Sequence, residues 1–257
     1  MSNSYKKLEY LKSEIEKIKN GIPSFLGIDG GNIKSKIWFC GIEFGGELNA
    51  MEKYYNSVVE TYNNSDFEIP YRKKAGDFES SIYDRYLSAM YINLFKEITL
   101  KNGDNTDEIV KVLQEELYHQ NSKIFKLNLY PLGKKDTGWD KNIETVLQIQ
   151  KEAYYNDIFK KRKRFLKELV DKFEPKTIIC TATNEYKEDF VETFFNDEAN
   201  IEYSWEYVTT PKLKKFKIST YQNSKTSLII IPFLGRGNLA SYDDVIYMAN
   251  HLKTHYL

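Results

Sequence analysis

The chain has 257 residues, with 37 lysines and arginines against 37 aspartates and glutamates, so its formal net charge is zero. Hydrophobic residues make up 41% of it and aromatic residues 15%, which excludes a globally disordered chain. Cys40 and Cys180 are too few for a disulfide scaffold, a four-cysteine zinc site or an iron–sulfur cluster. No apolar run approaches the ~20 residues of a membrane helix, and we read no secretory signal at the N-terminus. We therefore expect a soluble, cytoplasmic protein.

The first predicted elements are an amphipathic helix and a buried strand. Apolar residues recur at helical spacing from Leu8 to Ile18. The apolar run 36–40 predicts a first core strand, which leads into a glycine-rich turn at 41–46. The polar stretch that follows predicts a short helix and a long surface loop, inserted at about residues 47–80. We expect one domain, residues 1–257, that carries this insertion.

Helices and further apolar strands alternate through the rest of the chain. The apolar strands are predicted at 123–129, 177–181 and 227–231. An antiparallel pair at the periphery of the fold is predicted at 203–208 and 216–221. Helices are predicted at about 81–100, from 106 onward, at 142–173, at 185–195 and after 241.

Apolar strands separated by helices predict parallel pairing in a sheet that is covered on both faces. The fold class we predict is α/β, a three-layer sandwich with a central four-stranded parallel sheet in which strand one lies next to strands two and three. Cys40 and Cys180 end two of these neighbouring strands, so we expect their thiols to be close together and reduced. Ligands of such sheets bind beyond the carboxyl ends of the strands. The loops after strands one, two and four are therefore the candidate site.

The turn after the first strand places one carboxylate, Glu43, among the glycines 41, 45 and 46. Glycines allow another backbone to approach closely. Glu43 either orients or deprotonates a water in such a place, or it caps a helix. No Gly-Lys-Ser/Thr follows, so the pattern does not predict a phosphate-binding P-loop.

Two other strand ends carry polar side chains. Asn128 offers a donor and an acceptor that suit the edge of a nucleobase, or it ties down the neighbouring loop. Arg236 precedes a helix N-terminus, where it either helps to seat a phosphate or is an ordinary exposed arginine. The three histidines lie outside the strand-end loops. We predict no metal site and no cofactor.

These loops, in this order, resemble the motifs of the uracil-DNA glycosylase superfamily. The matching segments are IWFC-GIEFGG, KLNLYPLG, PKTIIC and, in position only, IIIPFLGRGN. The resemblance implies that Glu43 handles the attacking water and that Asn128 recognises the flipped base. The last segment lacks the histidine of the family, so the residue that stabilises the departing base is either missing or replaced by Arg236 or Asn238.

The resemblance further implies a monofunctional DNA glycosylase that flips a damaged or modified base and hydrolyses its N-glycosidic bond. A modified base in phage DNA, and hence a defence role, would suit the divergent motifs. The residues expected to bind the substrate nucleotide are Gly41, Ile42, Phe44, Gly45, Tyr130, Arg236 and Asn238. The residues expected to contact DNA phosphates are Arg72, Lys73, Lys74, Lys212, Lys214 and Lys215, and the helical run 160–164 is the less favoured face.

Two other functions stay open on the sequence. The first is a nucleic-acid-binding module of the same fold that has lost the chemistry. The second is a small-molecule hydrolase or a nucleotide-binding α/β protein, which would bind a free nucleotide and show no affinity for DNA. In all three cases the partner is not a membrane, and the sequence gives no oligomeric state.

Overall fold

The computed structural model describes residues 3–22, 24, 26–42, 59–64, 67–72, 81–98, 100, 106–132, 139, 141–182, 184–195, 200–235 and 237–257. The main sheet in this part of the chain contains the strands β1 (Ile28–Gly31), β2 (Ile37–Gly41), β5 (Ile124–Asn128), β6 (Thr177–Ala182), β7 (Glu202–Thr209), β8 (Lys215–Gln222) and β9 (Ser227–Pro232). A separate two-stranded sheet contains β3 (Val59–Asn64) and β4 (Phe67–Arg72).

The helices are α1 (Asn3–Lys19), α2 (Ile82–Phe95), α3 (Thr106–Glu115), α4 (Lys141–Leu147), α5 (Lys160–Phe173), α6 (Lys187–Phe195) and α7 (Tyr242–His255). A short helical segment, Lys151–Ala153, and a π-helical segment, Tyr154–Phe159, run directly into α5. No helix in the described part of the chain combines the length and the apolar character needed to cross a bilayer.

The main sheet has the order β1-β5-β2-β6-β9-β8-β7. The four predicted core strands, β5, β2, β6 and β9, pair in parallel, and strand one lies between strands two and three as predicted. The prediction of a four-stranded sheet is nevertheless wrong, because β1 adds an antiparallel strand beside β5 and the β7–β8 pair adds two more beside β9. The fold is therefore α/β with a mixed seven-stranded sheet.

Three predicted elements differ from the observed ones in their bounds or in their type. The helix that opens at Ser81 starts as its capping pattern indicates, because the Ser81 hydroxyl accepts a hydrogen bond from the backbone N–H of Asp84. The helix ends at Phe95, before the predicted end at about residue 100. The long helix predicted at 142–173 is interrupted at Gln148, whose φ of 56° is left-handed. The inserted segment contains the β3–β4 hairpin where we predicted a helix and a loop.

Two apolar clusters cover the two faces of the sheet. Phe39, Ile179 and Ile229 alternate along their strands with Trp38, Ile178 and Leu228, so neighbouring residues face opposite sides. The first set packs with residues of α2, α3 and α7, and the second with residues of α1, α5 and α6. Cys40 and Cys180 are direct partners in the β2–β6 register, and both are buried free thiols, as predicted.

Candidate functional site

A group of polar side chains, all buried except for one partly buried tyrosine, lies at the carboxyl ends of β5, β2 and β6, on the face that α2 covers. We call it the Lys126 cluster, and its members are Asp29, Tyr83, Lys126, Asn128 and Thr181. The Lys126 ammonium lies 2.7 Å from Oδ2 of Asp29 and donates to Oδ1 of Asn128 at 2.8 Å. It also donates to the Leu127 carbonyl at 3.0 Å.

A β-bulge places Asp29 in this cluster. The register of β1 against β5 shifts between Ile28 and Gly30, so Asp29 is the extra residue of the bulged strand. Bulges of this kind re-aim a side chain. The Asp29 carboxylate thereby reaches both Lys126 and Asn128, whose Nδ2 donates to it at 3.0 Å.

These contacts fix the orientation of the Asn128 amide. The ammonium of Lys126 can only donate, so the amide atom that faces it is the oxygen, and the amide nitrogen faces the carboxylate of Asp29. The Asn128 side chain is only 2% exposed. An amide has two N–H hydrogens and two oxygen lone pairs, and these two bonds use one of each. One N–H and one lone pair of the amide are therefore not used by these two bonds.

The end of the first core strand approaches this amide closely. Gly41 is the direct register partner of Asn128, and a Cβ built on Gly41 would lie 2.5 Å from Oδ1 of Asn128. It would also lie 3.2 Å from Nζ of Lys126 and 3.6 Å from the hydroxyl of Tyr83. Glycine is therefore required at position 41 because the side chains of the cluster occupy the space of a Cβ.

Helix α2 contributes two polar side chains from its first turn. The Tyr83 hydroxyl is 2.9 Å from Oγ1 of Thr181 at the end of β6, and its ring centroid is 5.3 Å from Nζ of Lys126. The next residue, Asp84, is buried and accepts a hydrogen bond from the Tyr118 hydroxyl. The first turn of α2 thus closes the cluster from above the sheet.

The protonation states in the cluster follow from burial and from the two carboxylates. Burial alone would lower the pKa of Lys126, but the negative charge of Asp29 overrides it and holds that pKa above its ordinary range, so Lys126 stays cationic. Burial raises the pKa of Tyr83 to about 12, so its hydroxyl is neutral. Burial, with the nearby charge of Asp29, also raises the pKa of Asp84.

A second cation holds Asn128 through its backbone. Arg162 is 1% exposed, and its guanidinium donates to the Asn128 carbonyl at 3.1 Å. From the sequence, Arg162 belongs to the basic run 160–164 that was the less favoured DNA-contacting face, but its side chain is buried and cannot contact DNA there. Among its neighbours in that run, Lys161 pairs with Asp157 and Lys163 pairs with Glu192.

The structure places two of the predicted substrate-binding residues in the hydrophobic core. Ile42 is buried in the cluster that packs with α1, α5 and α6. Tyr130 is buried in the same cluster, stacked on Phe159 at a centroid distance of 4.3 Å, and its hydroxyl donates to Asp189 at 2.6 Å. The ring and the hydroxyl of Tyr130 are thus both engaged within the fold, and these contacts do not support the substrate-binding role predicted for it.

Several predicted site residues lie outside the described residues. They are Glu43, Phe44, Gly45, Lys73, Lys74 and Arg236, and for Arg72 only the backbone, at the end of β4, is described. The catalytic role of Glu43 and the phosphate-binding role of Arg236 therefore stay predictions. The structure fixes only the point from which the Glu43 loop departs, which is the Gly41–Ile42 end of β2.

A cleft of about 330 Å³ opens at the carboxyl ends of β6 and β9. We call it the lysine cleft. Its polar lining residues are Glu185, Lys187, Lys215, Lys217, Ser219 and Asn238. Two residues predicted from the sequence, Lys215 and Asn238, thus meet in one cleft. The cleft adjoins the sheet face of Ile230, whose register partner is Ser219.

The other two lysines of the predicted basic cluster point to α7. Lys212 pairs with Asp243 and Lys214 pairs with Asp244, each at 2.6 Å, in the first turn of that helix. Acidic residues at a helix N-terminus are stabilising there, and the lysines neutralise them. Lys212 and Lys214 therefore support the hairpin–helix contact, and only Lys215 of the three faces the cleft.

The residues that hold Asn128 were not among those predicted from the sequence. A lysine inside the apolar run Ile-Phe-Lys-Leu-Asn was the available signal, because a buried lysine requires a carboxylate partner. The partner, Asp29, lies 97 positions away in the sequence. Nothing local to either residue indicates the pairing.

In the described part of the chain, no group of three or more histidine, cysteine, aspartate and glutamate side chains is placed to hold a metal ion. No family model matches the chain. Comparison with curated proteins likewise gives no match.

Proposed function

We propose that this protein is a DNA glycosylase that excises a damaged or modified base by hydrolysing its N-glycosidic bond. The observation that carries the proposal is the juxtaposition of Gly41 and Asn128 at the carboxyl ends of two adjacent parallel strands. It matches what the resemblance to the uracil-DNA glycosylase superfamily implies for the first two motifs. The parallel order of β5, β2, β6 and β9 is compatible with the same resemblance.

The proposed chemistry assigns different tasks to the two strand ends. The bond from C1′ of the sugar to the base nitrogen breaks, and the base leaves with the bonding electrons. The oxygen of the water bonds to C1′, and the proton that the water loses ends on the base. A carboxylate near C1′ favours the cationic sugar and positions the water, and that is the task of Glu43, two residues beyond Gly41. The amide of Asn128 contacts the edge of the base with the donor and the acceptor that Asp29 and Lys126 leave open.

The Lys126 cluster supports this assignment through preorganisation. A side chain that recognises a base must hold its amide in one orientation, because a flipped amide exchanges the donor and the acceptor. Lys126 and Asp29 fix that orientation from the side chain, and Arg162 fixes the backbone of the same residue. The cation and the anion compensate each other, so the cluster adds no net charge at the base.

The test is incubation of the purified protein with oligonucleotides that each carry one modified base, followed by alkali to reveal abasic sites. Glu43→Gln keeps the shape of the side chain and removes its charge. We expect it to lower the rate of base release by roughly 10²–10⁴-fold with DNA binding retained. Asn128→Ala should reduce discrimination between bases by about 1–3 kcal/mol.

The matched control for Asn128 is Asn93, another buried asparagine, whose amide donates to the Ala89 carbonyl within α2. Asn93→Ala should leave base selection unchanged, and thermal unfolding of both variants separates effects on stability from effects on recognition. Normal base release by Glu43→Gln would contradict the proposal.

The second candidate function is a nucleic-acid-binding module without catalysis. The observation that favours it is that both ends of the Asn128 amide already bond within the protein. Under this alternative the protein binds DNA, yet neither the natural chain nor Glu43→Gln produces alkali-labile sites on any of the modified DNAs.

A further inference from the structure

The outer strand of the main sheet carries a row of exposed aromatic side chains. Tyr203, Trp205 and Tyr207 of β7 are 47%, 54% and 59% exposed. They occupy alternate positions, so they lie on one face of the hairpin. Their register partners on β8 are Tyr221, Ser219 and Lys217. An exposed row of three aromatic residues is unusual for a protein surface and indicates a binding surface.

Lysines accompany the aromatic row and connect it to the lysine cleft. The Lys217 ammonium lies 4.8 Å from the ring centroid of Trp205, and the Lys187 ammonium lies 4.6 Å from that of Tyr203. Both lysines also line the cleft. The row and the cleft therefore form one continuous surface, which runs from the carboxyl ends of β6 and β9 out to the edge strand.

Charge is segregated across the hairpin. Glu202 and Glu206 are on the opposite face of β7, where Glu206 accepts from the Tyr256 hydroxyl at 2.6 Å and bonds to His251 of α7. On the aromatic face, no described carboxylate forms an ion pair with Lys187, Lys215 or Lys217, and Glu185 is the acidic residue that lines the cleft. A chain with zero net charge thus presents a cationic, aromatic face on one side of its edge hairpin.

We infer that this face binds single-stranded nucleic acid, with unpaired bases stacked on the aromatic row and phosphates at Lys187, Lys215 and Lys217. Aromatic rings stack on any unpaired base, and lysines beside them neutralise the backbone, which is the combination that single-strand binding requires. The bases of a duplex are already stacked on each other and are not available to such a row. The inference rests on the proposed function for the choice of DNA.

The test uses the emission of Trp205. The chain has three tryptophans, of which Trp38 is fully buried and Trp139 is partly buried and bonded to Glu144. Titration with an unmodified thymidine oligonucleotide should quench the tryptophan emission. Trp139→Phe should leave this quenching in place, and Trp205→Phe should remove it while fluorescence anisotropy of a labelled oligonucleotide still reports binding.

The affinity measurements then separate stacking from apolar contact and from charge. Trp205→Leu keeps an apolar side chain without a ring face and should weaken binding about tenfold, whereas Trp205→Phe should keep most of the affinity. Lys215→Ala with Lys217→Ala should reduce the slope of log affinity against log salt by about 1.4, at 0.7 for each lost phosphate contact. Lys225→Ala removes an exposed lysine at the amino end of β9 and should leave the slope unchanged.

Three results would overturn the inference. They are unchanged affinity in Trp205→Leu, equal affinity for duplex and single strand, and a dimer in sedimentation analysis that buries the row by pairing the β7 edges. The outcome is independent of base release, because the oligonucleotide carries no modified base. Binding without base release from modified DNA would contradict the proposed function alone, and base release without the Trp205 effect would contradict this inference alone.

Discussion

The Lys126 cluster and the lysine cleft both lie at the carboxyl ends of the parallel strands. The lysine of the first is buried, and a lysine of the second is exposed. Lys126 is 1% exposed, and its ammonium contacts a carboxylate, an amide oxygen and a backbone carbonyl. Lys217 faces outward over the ring of Trp205. The buried lysine has its donors committed to the protein, and the exposed lysine has donors to offer to a ligand.

This difference in burial predicts whether the loss of a charge affects the stability of the fold or the affinity for a ligand. Removing a charge from water is expensive, so a buried ammonium is tolerated only with its partners in place. Substitutions in the Lys126 cluster should therefore change stability and the orientation of Asn128. Substitutions in the lysine cleft should change ligand affinity and leave the fold intact, because exposed charges contribute little to stability.

The largest expected effect comes from Lys126→Met, which keeps the length of the side chain and leaves Asp29 buried without its cation. Breaking a buried ion pair in this way costs about 3–5 kcal/mol of unfolding free energy. Denaturant unfolding would measure the loss, and adding Asp29→Asn to Lys126→Met should restore part of it. Lys225→Met, at an exposed ion pair, is the control and should leave the unfolding midpoint in place. Equal midpoints for Lys126→Met and the natural protein would contradict the comparison.

The next largest effect is expected from Gly41→Ala. The added Cβ would lie 2.5 Å from Oδ1 of Asn128, so β2 or the amide must shift, and overpacking of this kind costs about 1–3 kcal/mol. The control is a double-mutant cycle with Asn128→Ala, which removes the atom that collides. Strongly non-additive unfolding free energies are expected, and strictly additive ones would show that the two residues are not in contact.

The smallest effect is a pH dependence at Asp84. Burial, with the charge of Asp29, raises the pKa of Asp84 above 3.8, so the folded protein holds this proton at pH values where the unfolded chain has lost it. The unfolding free energy should therefore fall as pH rises above about 3.8, with a slope of at most about 1.4 kcal/mol per pH unit from this one group. Denaturation at a series of pH values should show that Asp84→Asn removes this part of the slope. A steeper fall in Asp84→Asn than in the natural protein would reverse the assignment.

Tyr118→Phe sharpens the same test. The hydrogen bond from Tyr118 to Asp84 favours the ionised carboxylate, so its loss should raise the pKa of Asp84 further and extend the fall in stability to higher pH. No change in the pH profile of Tyr118→Phe would mean that the hydroxyl does not act on Asp84.

The sequence by itself determined the four core strands and their neighbours. Their apolar runs alternate with amphipathic helices, and burial on both faces of a parallel sheet requires that pattern. This pattern predicts the parallel pairing of β5, β2, β6 and β9. The position of the first core strand between the second and the third was predicted as well, and it brings Cys40 beside Cys180. The helix starts at Ser81 and Ser241 were also predictable, because a cap involves only residues three positions apart.

Only the tertiary structure decided which strands form the edges of the sheet and which side chains surround Asn128. β1 has four residues, and two of them are glycines with φ values of 124° and 99°, so its propensity for a strand is weak and its pairing with β5 is a long-range event. The same pairing brings Asp29 to Lys126 across 97 positions. On the other edge, attachment of β8 to β9 turns the aromatic row toward the lysine cleft. Charge pairs and surfaces of this kind depend on distances between remote segments, and local periodicity carries no information about those distances.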